Sequence, residues 1–151
     1  MAVVSIYKFL NNGYSIFGHV KSVSGFWLGA EPFFRIQETE VNGDIIANAI
    51  KISFQTDDGR RVPDPKDWRE YNKVFAQKAG VKSSREFDKP TTQLLQARTD
   101  ESHIILAPTR PADKPDKGFV SANAENVTIS ITASNQEIME ACELAFNNCG
   151  K

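Results

Sequence analysis

Histidine and cysteine are scarce, with two of each among 151 residues, and that scarcity removes most common catalytic and metal-binding designs. His19 and His103 belong to no H-E-x-x-H pattern, and no C-x-x-C pair is present to complete a zinc site. Each reads as a strand residue with a hydrogen-bond partner or a wet surface. Cys142 and Cys149 fall late in one helical pattern, whereas an activated thiol is usually held at a helix start. Their spacing along a helix separates the Cα atoms by about 10 Å, beyond the reach of a disulfide. Cys142 is expected in the core and Cys149 on the solvent side. The chain also lacks the G-x-S-x-G elbow, the phosphate loop G-x-x-x-x-G-K-[ST] and the dinucleotide fingerprint G-x-G-x-x-G. The acid pairs Asp57–Asp58 and Asp64…Asp67 read as a turn and a helix head. No catalytic residue, metal or cofactor is therefore expected.

A basic excess is missing too. Eighteen Lys and Arg stand against nineteen Asp and Glu, for a net charge of -1, which argues against a general nucleic-acid binder. The stretch Arg60 to Lys89 is the most basic, but its nine cations are diluted by five acids and read as a solvated helical face. No run approaches the roughly 18 apolar residues of a membrane helix. The opening MAVVSIYKFL has neither the charge nor the apolar core of a secretory signal. A cytoplasmic protein without membrane contact is the expectation.

What is present is a globular composition, 40% hydrophobic and rich in Phe, at ten residues, suited to one domain over 1–151. Val3 to Leu10 and Tyr14 to Val23 read as a hairpin about Asn12-Gly13. Alternation places Tyr14, Ile16 and Gly18 on one face, and Ser15, Phe17 and His19 on the other. Glu31 to Ile36 reads as a further strand. From Asp44, Ile45, Ile46, Ala49 and Ile50 fit helical spacing better than strict alternation, so a helix is expected, with a strand as the alternative that the isoleucines leave open. Asp64-Pro65 opens the clearest helix, with Asp64 as cap, Pro65 at the first position and an inner stripe of Trp68, Tyr71, Phe75 and Ala79. Gly80 ends it. Thr91 to Arg98, His103 to Ala107, Phe119-Val120 and Val127 to Ile131 read as strands, and Arg110 to Gly118 as a loop. Ser134 to Glu137 is a capping box before a final helix with Ile138, Cys142 and Ala145 inside. This order fits an α+β fold, a mainly antiparallel sheet with about three helices on one side.

With no catalytic inventory, binding is the better expectation. Phe26, Trp27, Phe33 and Phe34 crowd a segment broken by glycine and proline, and aromatics are the usual anchors of interfaces. Glu31, Glu38, Glu40 and Asp44 form an acidic stretch, and Glu125, Glu137, Glu140 and Glu143 a second. Either would suit a basic protein partner.

The run SIYKFLNNGYSIFGHVKSVSGFWLGAEPFFRI, the PDPKDW helix start and the strand IILAPT resemble the immunity proteins of bacterial contact-dependent growth inhibition, in particular the group that neutralises DNA-degrading toxin domains. The resemblance implies a cytoplasmic antidote that binds the cognate toxin's C-terminal domain and blocks it. In that group a toxin β-hairpin can add to the antidote's sheet. The toxin-binding set expected here is Phe26, Trp27, Glu31, Phe33, Phe34, Glu38, Glu40 and Asp44, chosen from chemistry because such interfaces diverge. Two other readings compete: a small hydrolase using His19 or His103, and a nucleic-acid module using Arg60 to Lys89 with Trp68 and Tyr71. Burial of those two aromatics on an inner stripe would count against the latter.

Overall fold

A computed structural model describes residues 2–150. Strands β1 (Val3–Lys8) and β2 (Tyr14–Lys21) form the expected hairpin, with Asn12 turning in the left-handed region at φ 65°. Strand β3 (Trp27–Ile36) returns along β2. It is longer than the segment expected, because Glu31 and Pro32 bulge out between the pairs Phe17↔Phe33 and Gly18↔Ala30 and pairing continues beyond them. On the other side of β1 lie β4 (Gln93–Thr99) and then β5 (His103–Pro111). The short strands β6 (Phe119–Ser121) and β7 (Val127–Ser130) share the far side of β5. All strand pairs are antiparallel, so the fold is α+β as expected.

Helices α1 (Gly43–Ser53) and α3 (Asn135–Asn147) cover one sheet face. Asn42 caps α1 by accepting from the Asp44 and Ile45 N–H groups, and Ser134 and Glu137 form a reciprocal box at α3. Their inner stripes, Ile46, Ile50, Ile138, Cys142 and Ala145, meet Val4, Ile6, Ile16, Leu95, Ile104 and Leu106 of the sheet in one buried core. Helix α2 (Trp68–Ala79) lies on the opposite face against β2 and β3, not on the same side as the others. The reason is in β2. Ile16 and Phe17 point to opposite faces, and both are fully buried. Tyr7, Phe33, Phe75 and Phe87 gather around Phe17 as a second, aromatic core. A sheet with large apolar side chains on both faces must be covered on both.

Three further expectations change. Helix α2 starts at Trp68 with Asp67 as its cap, accepting from the Arg69 and Glu70 N–H groups at 2.9 and 3.3 Å. Asp64 is engaged elsewhere, accepting from the backbone and hydroxyl of Ser24. With the first turn at Trp68, that ring stays 42% exposed beside Phe26 and Tyr71, while Ala76 joins Phe75 and Ala79 inside. Cys149 is half-buried rather than on the solvent side, with its thiol 3.6 Å from the Leu94 carbonyl. Strand β5 runs through Pro108 to Pro111, past the expected end at Ala107.

Gly18 lies where α1 ends against β2, and a Cβ there would collide with the Ser53 carbonyl and the Thr56 hydroxyl. Gly18→Val is expected to cost about 3 kcal/mol by overpacking, and Phe17→Ala about 4 kcal/mol by opening a cavity. Urea unfolding checks both; losses under about 1 kcal/mol would contradict this description of the two cores.

Candidate functional site

The closest approach to catalytic geometry is a pair that the sequence analysis did not find. Ser5 Oγ lies 2.7 Å from His19 Nε2, a nucleophile–base distance. The hairpin register carried a signal for it: Ser5 pairs with Phe17, which sets His19 diagonally across on the same face. Ser5 is buried, however, and His19 nearly so. Nδ1 of His19 is buried without a hydrogen-bond partner of good geometry, so no carboxylate orients the ring. Burial pushes the imidazole down to about 4, and the nearby Leu28 backbone offsets only part of that. The arrangement is that of a neutral imidazole bonded to a buried hydroxyl.

His103 stands far from this pair on β5, exposed, with Nδ1 3.4 Å from Asp100 Oδ1 in the turn before the strand. Asp100 accepts the Ser102 and His103 N–H groups, which hold its carboxyl below the usual range. Burial pushes the Cys142 thiol up to about 12, with Glu143 adding to it, and raises Cys149 as well. Neither thiol is set up as a thiolate. Among the described residues no three His, Cys, Asp or Glu side chains gather as a metal site, and no helix is long and apolar enough to cross a membrane.

The structure spreads the expected contact residues along β3 and beyond. Phe26 and Trp27, 50% and 41% exposed, lie at the tip of the β2–β3 hairpin, Phe26 against Trp68 and Trp27 against His19 and Lys21. Glu31 is exposed in the bulge and pairs with Lys78 at 3.1 Å. Phe33 and Phe34 are half-buried on opposite faces, one in each core. Glu38 and Glu40 form an exposed 3-10 turn after β3, and Asp44 is exposed in the first turn of α1. The ten residues of β3 put about 30 Å between its two ends, so the set is two groups rather than one site. The second group gains members from far along the chain. Asn135 Nδ2 donates to Asp44 at 3.1 Å, and a cleft of about 340 Å³ between the starts of α1 and α3 is lined by Asp44, Glu140 and Glu143. The two acidic stretches are thereby joined.

The rest of the α2 face carries no helix. Helix α2 reaches only β2 and β3, and Val3, Gln96, Arg98, Ile105, Ala107 and Thr128 follow one another across β1, β4, β5 and β7 on that same face. At one end the face deepens into a cleft of about 420 Å³, with Tyr7, Leu94, Gln96 and Thr109 as part of its floor and Asp88 and Phe119 on its sides. Burial, with Asp88 adding, raises the Tyr7 hydroxyl far above its ordinary value, so it remains a neutral donor. Beside the cleft, β6 and β7 pair only with β5 among the described residues. At the opposite edge of the sheet, β3 is obstructed. The Gly29 N–H donates outward to the Tyr71 hydroxyl at 3.1 Å, and Pro32 has no N–H to offer.

No known family model matches the chain, and no curated protein matches it in sequence. Its fold is shared by solved structures. A protein of unknown function from Neisseria meningitidis superposes with a TM-score of 0.71 at 12% identity, over 98% of this chain and 94% of the other. A chain of the CdiA-CT/CdiI toxin and immunity complex from Yersinia pseudotuberculosis superposes with a TM-score of 0.69 at 16% identity, over 98% of this chain and 97% of that one. The likeness shows a shared α+β fold over nearly the full length of both chains.

The buried His19 predicts a pH dependence. Its folded value of about 4 lies below the unfolded value, so the unfolded chain takes up the proton first as pH falls. Stability is unaffected above about pH 6.5 and declines from there towards pH 4, by about 2–3 kcal/mol at pH 4.5. Urea unfolding of the wild type and of His19→Gln at pH 7 and 4.5 checks this. The variant is expected to lose less, by about that amount, and an equal loss would contradict it.

Proposed function

We propose that this protein is an immunity protein, which binds the C-terminal nuclease domain of a cognate contact-dependent growth inhibition toxin in the cytoplasm and blocks it. The observation that carries the reading is the end-to-end match to a chain of a toxin and immunity complex. The side-chain chemistry favours the antidote over the poison: raised thiols, a sequestered Ser5–His19 pair and a lone exposed His103 leave no group poised for catalysis.

Toxin contact is on the uncovered half of the α2 face. A hairpin of the toxin adds to the free edge of β6 and β7, where main-chain groups supply affinity, and its side chains enter the cleft over Tyr7 and Gln96. Phe26 and Trp27 flank the same face, with Glu31 further along β3, while Phe33 and Phe34 hold the scaffold. Glu38, Glu40 and Asp44 lie with α3's acids at the other end of β3. From there they attract a cationic toxin over distance and raise its on-rate.

The test is direct. Mixed with the toxin domain encoded beside it, the protein is expected to form a one-to-one complex with a Kd of about nanomolar order and to stop DNA degradation at equimolar ratio. Calorimetry and a nuclease assay read both. Absence of a complex at micromolar concentrations would reject the reading.

A further inference from the structure

The cleft at the end of the α2 face holds one charge of each sign, set apart along its floor. Asp88 and Arg98 are the charged side chains that line it. Both are exposed, and among the described residues neither takes part in an ion pair. Asp88 is placed by its neighbour Phe87, which is buried with its ring centre 4.4 Å from that of Tyr7. Asp88 acts on the Tyr7 hydroxyl, and Tyr7 pairs with Leu94 on β4, so the carboxylate stands at the Leu94 end. Arg98 lies four residues further along β4 on the same face, which puts about 13 Å between it and Leu94. Arg85, Lys89, Asp100 and Glu101 flank the two groups in sequence but do not line the cleft. Contact inside it is therefore made with one carboxylate and one guanidinium.

Gln96 lies between them on the same face of β4. Gln93, on the opposite face, gives its amide to the Phe146 carbonyl at 3.4 Å, whereas Gln96 has no such partner among the described residues. Beside this row run Ala107 and Ile105 of β5, paired with Gln96 and Arg98 and both part-exposed. Tyr7 and Phe119, with ring centres 6.2 Å apart, close the Asp88 end. The floor thus presents carboxylate, amide and guanidinium in order, with an apolar margin along one side.

We infer that this row reads the order of charges on an extended segment of the toxin, with a Lys or Arg opposite Asp88, an uncharged polar side chain over Gln96 and an Asp or Glu opposite Arg98. Side chains two residues apart on a strand share a face, so the complementary segment carries these residues at positions i, i+2 and i+4. The inference rests on the immunity reading and names what the cleft selects. Main-chain pairing at β6 and β7 supplies affinity, and side-chain contacts of this kind supply the choice of partner. Nucleic acid suits the row less well, because its charge has one sign and would set phosphate against Asp88.

The experiment exchanges the two charges and measures Kd for the cognate toxin domain. Asp88→Arg with Arg98→Asp keeps the net charge, and is expected to weaken binding about 100-fold or more because both contacts become like-charged. Asp88→Asn and Arg98→Gln remove one charge each with little change of shape. Each is expected to weaken binding about 3-fold or more, and they decide the matter if the exchanged protein folds poorly. The control exchange, Glu70→Lys with Lys73→Glu at exposed positions of α2, should bind like the wild type. Wild-type affinity in the Asp88–Arg98 exchange overturns the inference and leaves the immunity reading standing. So does a pair of neutral variants that act in opposite directions, as net charge alone would make them. No binding by the wild type overturns both. Binding of oligo(dT) by the wild type that Arg98→Gln abolishes assigns the cleft to nucleic acid and overturns the inference.

Discussion

Everything in this molecule depends on the alternation along β2, which sends Ile16 into one core and Phe17 into another. A strand with that pattern cannot lie on a single layer of helices, because either Ile16 or Phe17 would be left in water at a cost of about 2 kcal/mol. The chain answers with α1 and α3 on one side and α2 with Phe87 on the other. Gly18, the next residue, lets the end of α1 approach the strand where a side chain would block it. The two cores are therefore set from one short segment, and the remaining strands extend the sheet outward from it.

The two coverings are unequal, and the proposed function rests on that inequality. α1 and α3 bury their face across most of the sheet, whereas α2 spans only β2 and β3. The other half of that face keeps partly open side chains, a cleft, and two short strands with an unpaired side. The edge at β3 is obstructed by Tyr71 and Pro32, so an added strand would find room at β6 and β7 instead. Acidic groups concentrate beside the starts of α1 and α3, where Asp44, Glu140 and Glu143 line one cleft.

Local chemistry was readable and long-range chemistry was not. The Asn12 turn, the alternation from Tyr14 to His19, the Ser134 capping box and the Gly80 cap all rest on neighbouring residues, and the structure shows each. The errors came from partners distant in the chain. Asp64 reads as a cap until Ser24, forty residues earlier, takes its carboxylate. β3 reads as beginning at Glu31 until β2 is present to carry the pairing past the bulge and back to Trp27. Trp68 fits the inner stripe by period, yet it stays 42% exposed beside Phe26, so the argument that its burial opposes a nucleic-acid role loses force. Of the expected contact set, exposure was readable for the acids and for Phe26 and Trp27. The union of two acidic stretches on adjoining helix starts was not, since it needs the packing of α1 on α3.

The central claim is that one half of one sheet face is the toxin-binding surface. Amide hydrogen exchange on the complex with the cognate toxin domain tests it most directly, by comparing protection in the bound and free protein. The account predicts new protection at β6, β7 and the hairpin tip around residues 22–27, with the outer surfaces of α1 and α3 unchanged. Protection confined to α1 and α3, with β6 and β7 exchanging as in the free protein, would contradict it.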